Sequence, residues 1–347
     1  MKTNKTFPID KFIENALYNN QYGYYSTKNP FGKSGDFITS PGISALFSEM
    51  IAIWMISFWE SLEKPKQFNI VELGPGDGEL SRVLIKTFKK FPNFYKSTNL
   101  YLHERSKFLK DIQKSKIKEK NVSWLNNISE IKNGPTLFFG NEFFDAIPVK
   151  QFKRKNKEIY EKYLKLEKNS SLKIILKKAS SKNIRELKKF KLLKKNGIIE
   201  YPKLGFQKLK VIIKKIKKLN GGLLLIDYGS LKNQNISTLQ SVKRHKKNRI
   251  FDNISSSDIT SLVNFSLLKD YLVRNKLILN KVVSQSFFLK KIGILNRAEI
   301  LSHKMTFKDK SDLYLRLKRL LDSRYMGDLF KVIFAYKSKK KFLLGFK

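Results

Sequence analysis

The chain has 347 residues, enough for one large α/β domain with additions or for two domains, and a hydrophobic content of 41%, ordinary for a globular protein. It contains no cysteine, which excludes disulfides, thiolate catalysis and Cys-based zinc sites, and its three scattered histidines suggest no metal centre. The net charge is +42, and about sixty of the 71 cations are Lys; base edges are read best by Arg, so the charge reads as a solvated lysine-rich surface, not as a specific nucleic-acid interface.

No targeting segment is expected. Met1 to Pro8 has no apolar stretch, and the longest apolar run, Ile51 to Trp59, is far short of a membrane span. These features predict a soluble cytoplasmic protein. They leave room for peripheral association with anionic surfaces and for a homodimer.

In chain order, Phe7-Pro8-Ile9-Asp10 opens a helix with Phe12, Ile13, Ala16 and Leu17 on one face. After Tyr22-Gly23-Tyr24-Tyr25 comes a Gly35-Asp36-Phe37-Ile38-Thr39-Ser40-Pro41 loop. Ser40 is a natural N-cap with Pro41 at the first helical position. The following helix carries a core-facing stripe of Ile43, Leu46, Phe47, Met50, Ile51 and Trp54. Phe68 to Leu73 reads as a buried strand. It runs into glycines at 74, 76 and 78, and then into an amphipathic helix with Leu80, Val83, Leu84, Thr87 and Phe88.

Strand, glycine turn and helix form the geometry that lets a backbone approach a nucleotide-like ligand. The spacing differs from a phosphate cradle, which needs a Lys-Ser/Thr that is missing here, and from the Gly-x-Gly-x-x-Gly dinucleotide turn. Glu72-x-Gly74-Pro75-Gly76-x-Gly78 instead resembles motif I of the S-adenosylmethionine (SAM) methyltransferases. SAM carries a sulfonium and an ammonium, and an acid at the strand end suits that cation.

Leu100 to Glu104 reads as the second strand. Its terminal acid stands where this architecture receives two ribose hydroxyls. Glu104 lies beyond the usual ~20 residues, with a Phe91 to Asn99 loop accounting for the excess. Asn121–Leu125 and Thr136–Gly140 read as the third and fourth strands. The fourth delivers Asn141, Glu142 and Asp145 among apolar neighbours, at the end where open α/β sheets bind ligands. Residues 151–220 read as an insertion, with strands at Ile159–Leu166 and Leu172–Leu176 joined by an Asn169-Ser170-Ser171 turn. A Lys-rich helix, an Ile199–Pro202 segment and a further helix to Leu219 follow. Gly221 to Gly229 is the fifth core strand, ending in Asp227. Ser230 to Ser257 reads as a long polar loop carrying Arg244 and His245. Ser284–Leu289 and Lys331–Tyr336 are expected to close the sheet as an antiparallel pair.

Together these segments resemble the MidA-type SAM-dependent methyltransferases, a family that includes the mitochondrial complex I assembly-factor arginine methyltransferase. The carriers are Gly23-Tyr24-Tyr25, Gly35 to Pro41, Val71 to Gly76 and Asn141 to Val149. Asp227-Tyr228-Gly229, Asp258-Ile259-Thr260, Ser284-Gln285 and Met326-Gly327 add to them. This chain departs from the family at Gly42 and Asn264, where acids are frequent, and in its basic tract between His245 and Ser257.

The resemblance implies a Rossmann-like, seven-stranded SAM methyltransferase sheet with N-terminal helices and an inserted α+β subdomain. Residues 1–60 would contribute to the cofactor pocket, 61–150 and 221–347 would form the core, and 151–220 would lie on the substrate side. SAM would be held by Asp36, Thr39, Glu72, Gly74, Pro75, Gly76, Gly78 and Glu104. Asn141, Glu142 and Asp145 would be catalytic, and Glu200, Asp227, Tyr228 and His245 would meet the substrate. That substrate would be an arginine of a partner protein, such as a subunit of respiratory NADH dehydrogenase, gripped by carboxylates in bidentate fashion. Two other readings stay open. One is a nucleic-acid methyltransferase, although Glu142 stands where such enzymes carry proline. The other is a non-catalytic SAM-binding assembly factor.

Overall fold

Seven strands follow one another along a continuous sheet. Their order is Ile278–Leu279, Phe330–Lys337, Gly221–Ser230, Thr136–Asn141, Phe68–Leu73, Thr98–His103 and Val122–Trp124. Two short strands, Val263–Asn264 and Val283–Ser284, pair onto this path. The computed structural model describes residues 6–32, 35–168, 171–194, 196–232 and 234–347. The strands from Val122–Trp124 to Gly221–Ser230 are parallel, and Phe330–Lys337 runs antiparallel to the last of them. Strand order reverses between Phe68–Leu73 and Thr136–Asn141. That switch leaves a crevice outside their carboxyl ends.

The central strands are buried on both faces, which is why Phe68–Leu73 and Gly221–Ser230 read as apolar runs without alternation. On one face pack the helices Ala45–Ser61 and Glu79–Phe88. Trp54, Phe58, Phe334 and Phe342 form an aromatic knot there. On the other face lies Lys203–Leu219. It buries Phe206, Leu209, Ile212, Ile213 and Ile216 against the sheet and exposes Lys210, Lys214, Lys217 and Lys218, while Lys208 reaches the crevice at the switch point. Each fully buried aliphatic or aromatic side chain contributes about 1.5–3 kcal/mol.

A second, antiparallel sheet has the order Thr6–Pro8, Glu158–Leu166, Lys150–Lys155 and Gly197–Tyr201, with Leu172–Lys178 on the other edge of Glu158–Leu166. The N-terminal strand thus pairs into the inserted segment. The turn read at Asn169-Ser170-Ser171 lies, for its first two residues, outside the described residues.

Four local expectations are corrected. The helix expected from Ser40 is two helices, Ser40–Ile43 and Ala45–Ser61. Ser44 is extended between them and accepts from the Leu46 amide. The cap position of the first is Thr39, whose backbone is extended, and the free Ser40 amide of the first turn is engaged by Glu142. The Phe91 to Asn99 loop contains a helix, Pro92–Ser97. Ser284–Leu289 is a strand only at Val283–Ser284 and then becomes the helix Gln285–Lys291, with Ser284 capping the Phe287 amide. A short apolar run does not tell strand from helix by period, and here the cap decides.

The long loop after Gly221–Ser230 contains a hairpin, Gln240–Lys243 and Lys246–Asn248, joined to Asp258–Thr260 in a small sheet. Its two-residue turn is Arg244-His245, both at positive φ (49° and 61°). Such turns are usually announced by Asn-Gly or Asp-Gly, which hid it from the sequence.

Candidate active site

The crevice at the switch point opens into a cavity of about 520 Å³. Two turns wall it, one from each of the strands that flank the switch. The first is the glycine turn after Phe68–Leu73. Gly74, Gly76 and Gly78 have φ of 63°, 57° and 82°, the left-handed region that costs any residue with a Cβ. A Cβ on Gly76 would stand 2.8 Å from Phe31 Cζ, and one on Gly74 would stand 3.1 Å from Phe143 Cδ2. Gln113 braces the turn by donating to the Gly76 carbonyl at 2.7 Å, while its own oxygen accepts from Trp124 Nε1.

Glu72 lies buried at the strand end and accepts from the Ser81 hydroxyl. Burial pushes its carboxyl up to about 7. Glu104 ends the next strand. Its Oε1 accepts from the amides of Arg105 and Ser106 at 2.7 and 2.8 Å, and Gln113 Nε2 lies 3.5 Å from Oε2. Burial raises this carboxyl too, against those bonds.

The second turn follows Thr136–Asn141. Glu142 has a φ of 52°, a strained conformation for a non-glycine residue. Its amide donates to Ile226 O, and its Oε1 accepts from the Ser40 amide and from Asn141 Nδ2, both at 3.1 Å. Oε2 has no partner among the described residues. Asn141 Oδ1 is buried and likewise accepts nothing. Asp145 accepts from the Ala146 amide at 2.8 Å, and Tyr228 lies beside it. Burial pushes Glu142 and Asp145 up to about 7, with the Glu142 charge adding to the rise at Asp145. Among the described residues neither forms an ion pair.

Thr39, Glu72, Gly74, Pro75, Gly76, Glu104, Asn141, Glu142, Asp145 and Tyr228 all line the cavity. Five residues singled out from the sequence do not. Asp36 is turned the other way. It accepts from Tyr24 Oη and Lys28 Nζ, both at 2.7 Å, and from the Arg244 amide, and so ties the N-terminal loop to the hairpin. Gly78 sits behind the turn as the left-handed start of Glu79–Phe88, facing Gln113. Asp227 is spent on backbone. Its Oδ2 accepts from the amides of Phe144 and Asp145, and its Oδ1 from that of Tyr228. Glu200 binds Gln151 and Thr238 beside a separate small crevice. The His245 side chain is exposed at the hairpin turn.

Sequence reasoning assigned no role to several residues that the fold brings to the cavity, namely Tyr18, Tyr25, Phe31, Asp258 and Arg319. Tyr25 and Asp258 stand in segments that carried the family resemblance, but Tyr18 and Arg319 lie on helices whose spacing says only that they fold.

The donor set fits a nucleoside with a cationic tail. Bare glycine backbone admits close approach, Glu104 keeps acceptor capacity for vicinal hydroxyls, and Glu72 supplies negative charge. Fold and site together define a Rossmann-like methyltransferase. The sequence profile of the family described as "Putative S-adenosyl-L-methionine-dependent methyltransferase" matches residues 50–281, and the chain belongs to that family. Its cofactor is SAM.

The mitochondrial protein arginine methyltransferase NDUFAF7 of Homo sapiens is 27% identical over 359 residues, covering 95% of this chain and 80% of that one. The Caenorhabditis elegans homolog is 29% identical over 300 residues, covering 80% and 70%. The crystal structure of a superfamily member from Burkholderia thailandensis, bound to S-adenosyl-homocysteine, superposes with a TM-score of 0.83 at 21% identity, over 98% of this chain and 90% of that chain. No helix among the described residues is long and apolar enough to cross a membrane.

Proposed function

We propose that this enzyme methylates an arginine of a partner protein, a subunit of respiratory NADH dehydrogenase being the partner the family resemblance implies. The observation that carries this reading is the pair Glu142 and Asp145, which face the cavity without an ion pair among the described residues. Burying such charge is costly unless a cation meets it. A guanidinium stays protonated at any cellular pH and offers five N–H donors in a planar fork. The curated relatives are protein arginine methyltransferases by name, which supports the same choice. A phosphate-bearing polymer would meet like charge here.

In this reading Gly74, Pro75 and Gly76 hold the cofactor, with Thr39 in the facing wall, Glu104 at the ribose and Glu72 near the cationic tail. The bound cofactor supplies an electrophilic methyl group on a sulfonium. Glu142 Oε2 and Asp145 grip the guanidinium, and Asn141 Oδ1 accepts from the nitrogen to be methylated. The nitrogen that gains the methyl group would shed a proton, and a carboxylate of Glu142 or Asp145, with a pKa near 7, would take it up at neutral pH. Most of the rate gain comes from holding nitrogen and methyl in line. Asp227 acts indirectly, fixing the amides of Phe144 and Asp145.

Residues 151–220 are the proposed substrate-side subdomain, supported by the place of this segment next to the Asn141 turn in sequence. The lysine-rich surface supports peripheral association with anionic surfaces in a cytoplasmic setting. A homodimer is the assembly that native mass spectrometry would test.

The deciding experiment is mass spectrometry of arginine-containing peptides from a deletion strain and its parent. A methylarginine lost with the gene, and restored by the purified enzyme with SAM, is the expected result. A mark lost from lysine or from nucleic acid, or no lost mark, would overturn the reading.

A further inference from the structure

A further carboxylate lines the cavity beside Glu142 and Asp145 and has no part in the proposed function. Asp258 begins the strand Asp258–Thr260 of the small sheet, is 5% exposed, and lines the cavity. Its Oδ1 accepts from Tyr25 Oη at 3.0 Å and from the Ile259 amide at 2.9 Å. Oδ2 accepts no hydrogen bond among the described residues, and Asp258 forms no ion pair among them. A carboxylate nine-tenths buried, with half of its acceptors open toward a cavity, is unfavourable unless a donor meets it there.

Its position relative to Asp145 is fixed on two sides. On one, the Ser261 amide donates to Asp145 O at 3.1 Å, and the Thr260 hydroxyl accepts from Tyr228 Oη, with Tyr228 beside Asp145. On the other, Tyr25 stacks on Tyr18 with ring centroids 5.5 Å apart, and Tyr18 Oη donates to Ala146 O at 3.1 Å. The third strand of the small sheet therefore brings a carboxylate to the Asn141 turn from a separate wall, with tyrosine rings between.

We propose that Asp258 is a specificity-determining residue whose Oδ2 takes the edge of the target guanidinium turned away from Glu142 and Asp145. The inference rests on the arginine reading above. A guanidinium presents donors on three edges of one plane. Carboxylates on one wall alone would leave the far N–H groups buried and unpaired, which is expensive. Acceptors on two walls match the planar fork. An ammonium offers its donors from a single point and cannot span them.

The test compares two small probes on the full chain loaded with S-adenosyl-homocysteine, N-acetyl-arginine methylamide and its neutral citrulline counterpart, read by ligand-observed NMR. The wild type is expected to prefer arginine. In Asp258→Asn the amide oxygen still accepts from Tyr25 and Ile259, so thermal unfolding and S-adenosyl-homocysteine affinity should hold. Arginine affinity should fall roughly tenfold to a hundredfold, the loss of one charge-assisted hydrogen bond, with citrulline affinity unmoved. An unchanged arginine-to-citrulline ratio in the variant would overturn the proposal, whether both affinities stay or both fall together, since the latter means Asp258 only supports Tyr25. A wild type without preference for arginine would overturn the arginine reading, and this inference with it. Should the Asn variant not fold, Asp258→Ser carries the same comparison.

Discussion

The two walls of the cavity are built on opposite principles. The glycine turn works by absence: no side chain stands at Gly74 or Gly76, and Gln113 holds the Gly76 carbonyl from behind. The Asn141–Asp145 turn works by presence. It carries the buried Asp145, the half-buried, left-handed Glu142 and an unpartnered amide oxygen, held by the Ser40 amide and by Asp227. Space for a neutral nucleoside costs the fold little, because glycine meets it locally. Charge for a cationic acceptor costs more, since repulsion and desolvation must be offset by backbone donors drawn from distant segments.

The largest effect should come from filling the first wall. Gly76→Val places a β-branched residue at a φ of 57° and 2.8 Å from Phe31 Cζ; the left-handed geometry alone costs ~1–2 kcal/mol. Calorimetry should register no SAM binding by the folded variant. Wild-type affinity would mean that the nucleoside sits elsewhere. Next is the second wall. Glu142→Gln keeps size and hydrogen bonding but removes the charge, so turnover on the natural protein partner should drop by roughly one to two decades, the equivalent of ~1.5–3 kcal/mol. SAM affinity should stay within about twofold. If turnover and SAM affinity fall together, Glu142 belongs to the cofactor wall and the two walls are not separable.

The same variant should change how stability depends on pH. Burial lifts the Glu142 carboxyl from 4.5 to about 7 in the folded chain. Between those values the folded chain holds a proton that the unfolded chain has released. That contribution is fully present below about pH 4 and is lost as pH rises through 7. Relative to wild type, Glu142→Gln should therefore gain stability between pH 4 and 8, by at most on the order of 3 kcal/mol. Urea unfolding of both proteins without ligand measures it, and a difference that stays flat with pH would show that Glu142 is not held uncompensated.

The smallest effect is expected at the hairpin turn. His245→Asn suits the left-handed backbone at φ 61° and touches no cavity wall. Its kcat/KM should stay within about twofold of wild type, and its stability within about 0.5 kcal/mol. A larger loss of activity would bring the hairpin tip into the substrate wall.

The parallel core strands, the glycine turn and the acids near the strand ends were legible in the sequence. Each rests on a short-range rule: buried parallel strands are continuously apolar, tight left-handed turns take glycine, and open sheets bind ligands at their carboxyl ends. Which acids face the cavity was not legible. Asp145 follows one core strand, Asp227 lies near the end of another, and the two look alike in sequence, yet Asp227 is consumed by the amides of Phe144, Asp145 and Tyr228. Asp36 lies in the most distinctive loop and spends itself on Lys28, Tyr24 and the Arg244 amide, the last of these 208 positions along the chain. Asp258 reaches the site only because a hairpin with an Arg-His turn folds its strand back onto the Asn141 turn. Local sequence sets what backbone a segment can adopt. The direction and charge of a buried carboxylate depend on partners from other segments of the chain, and only the tertiary structure supplies them.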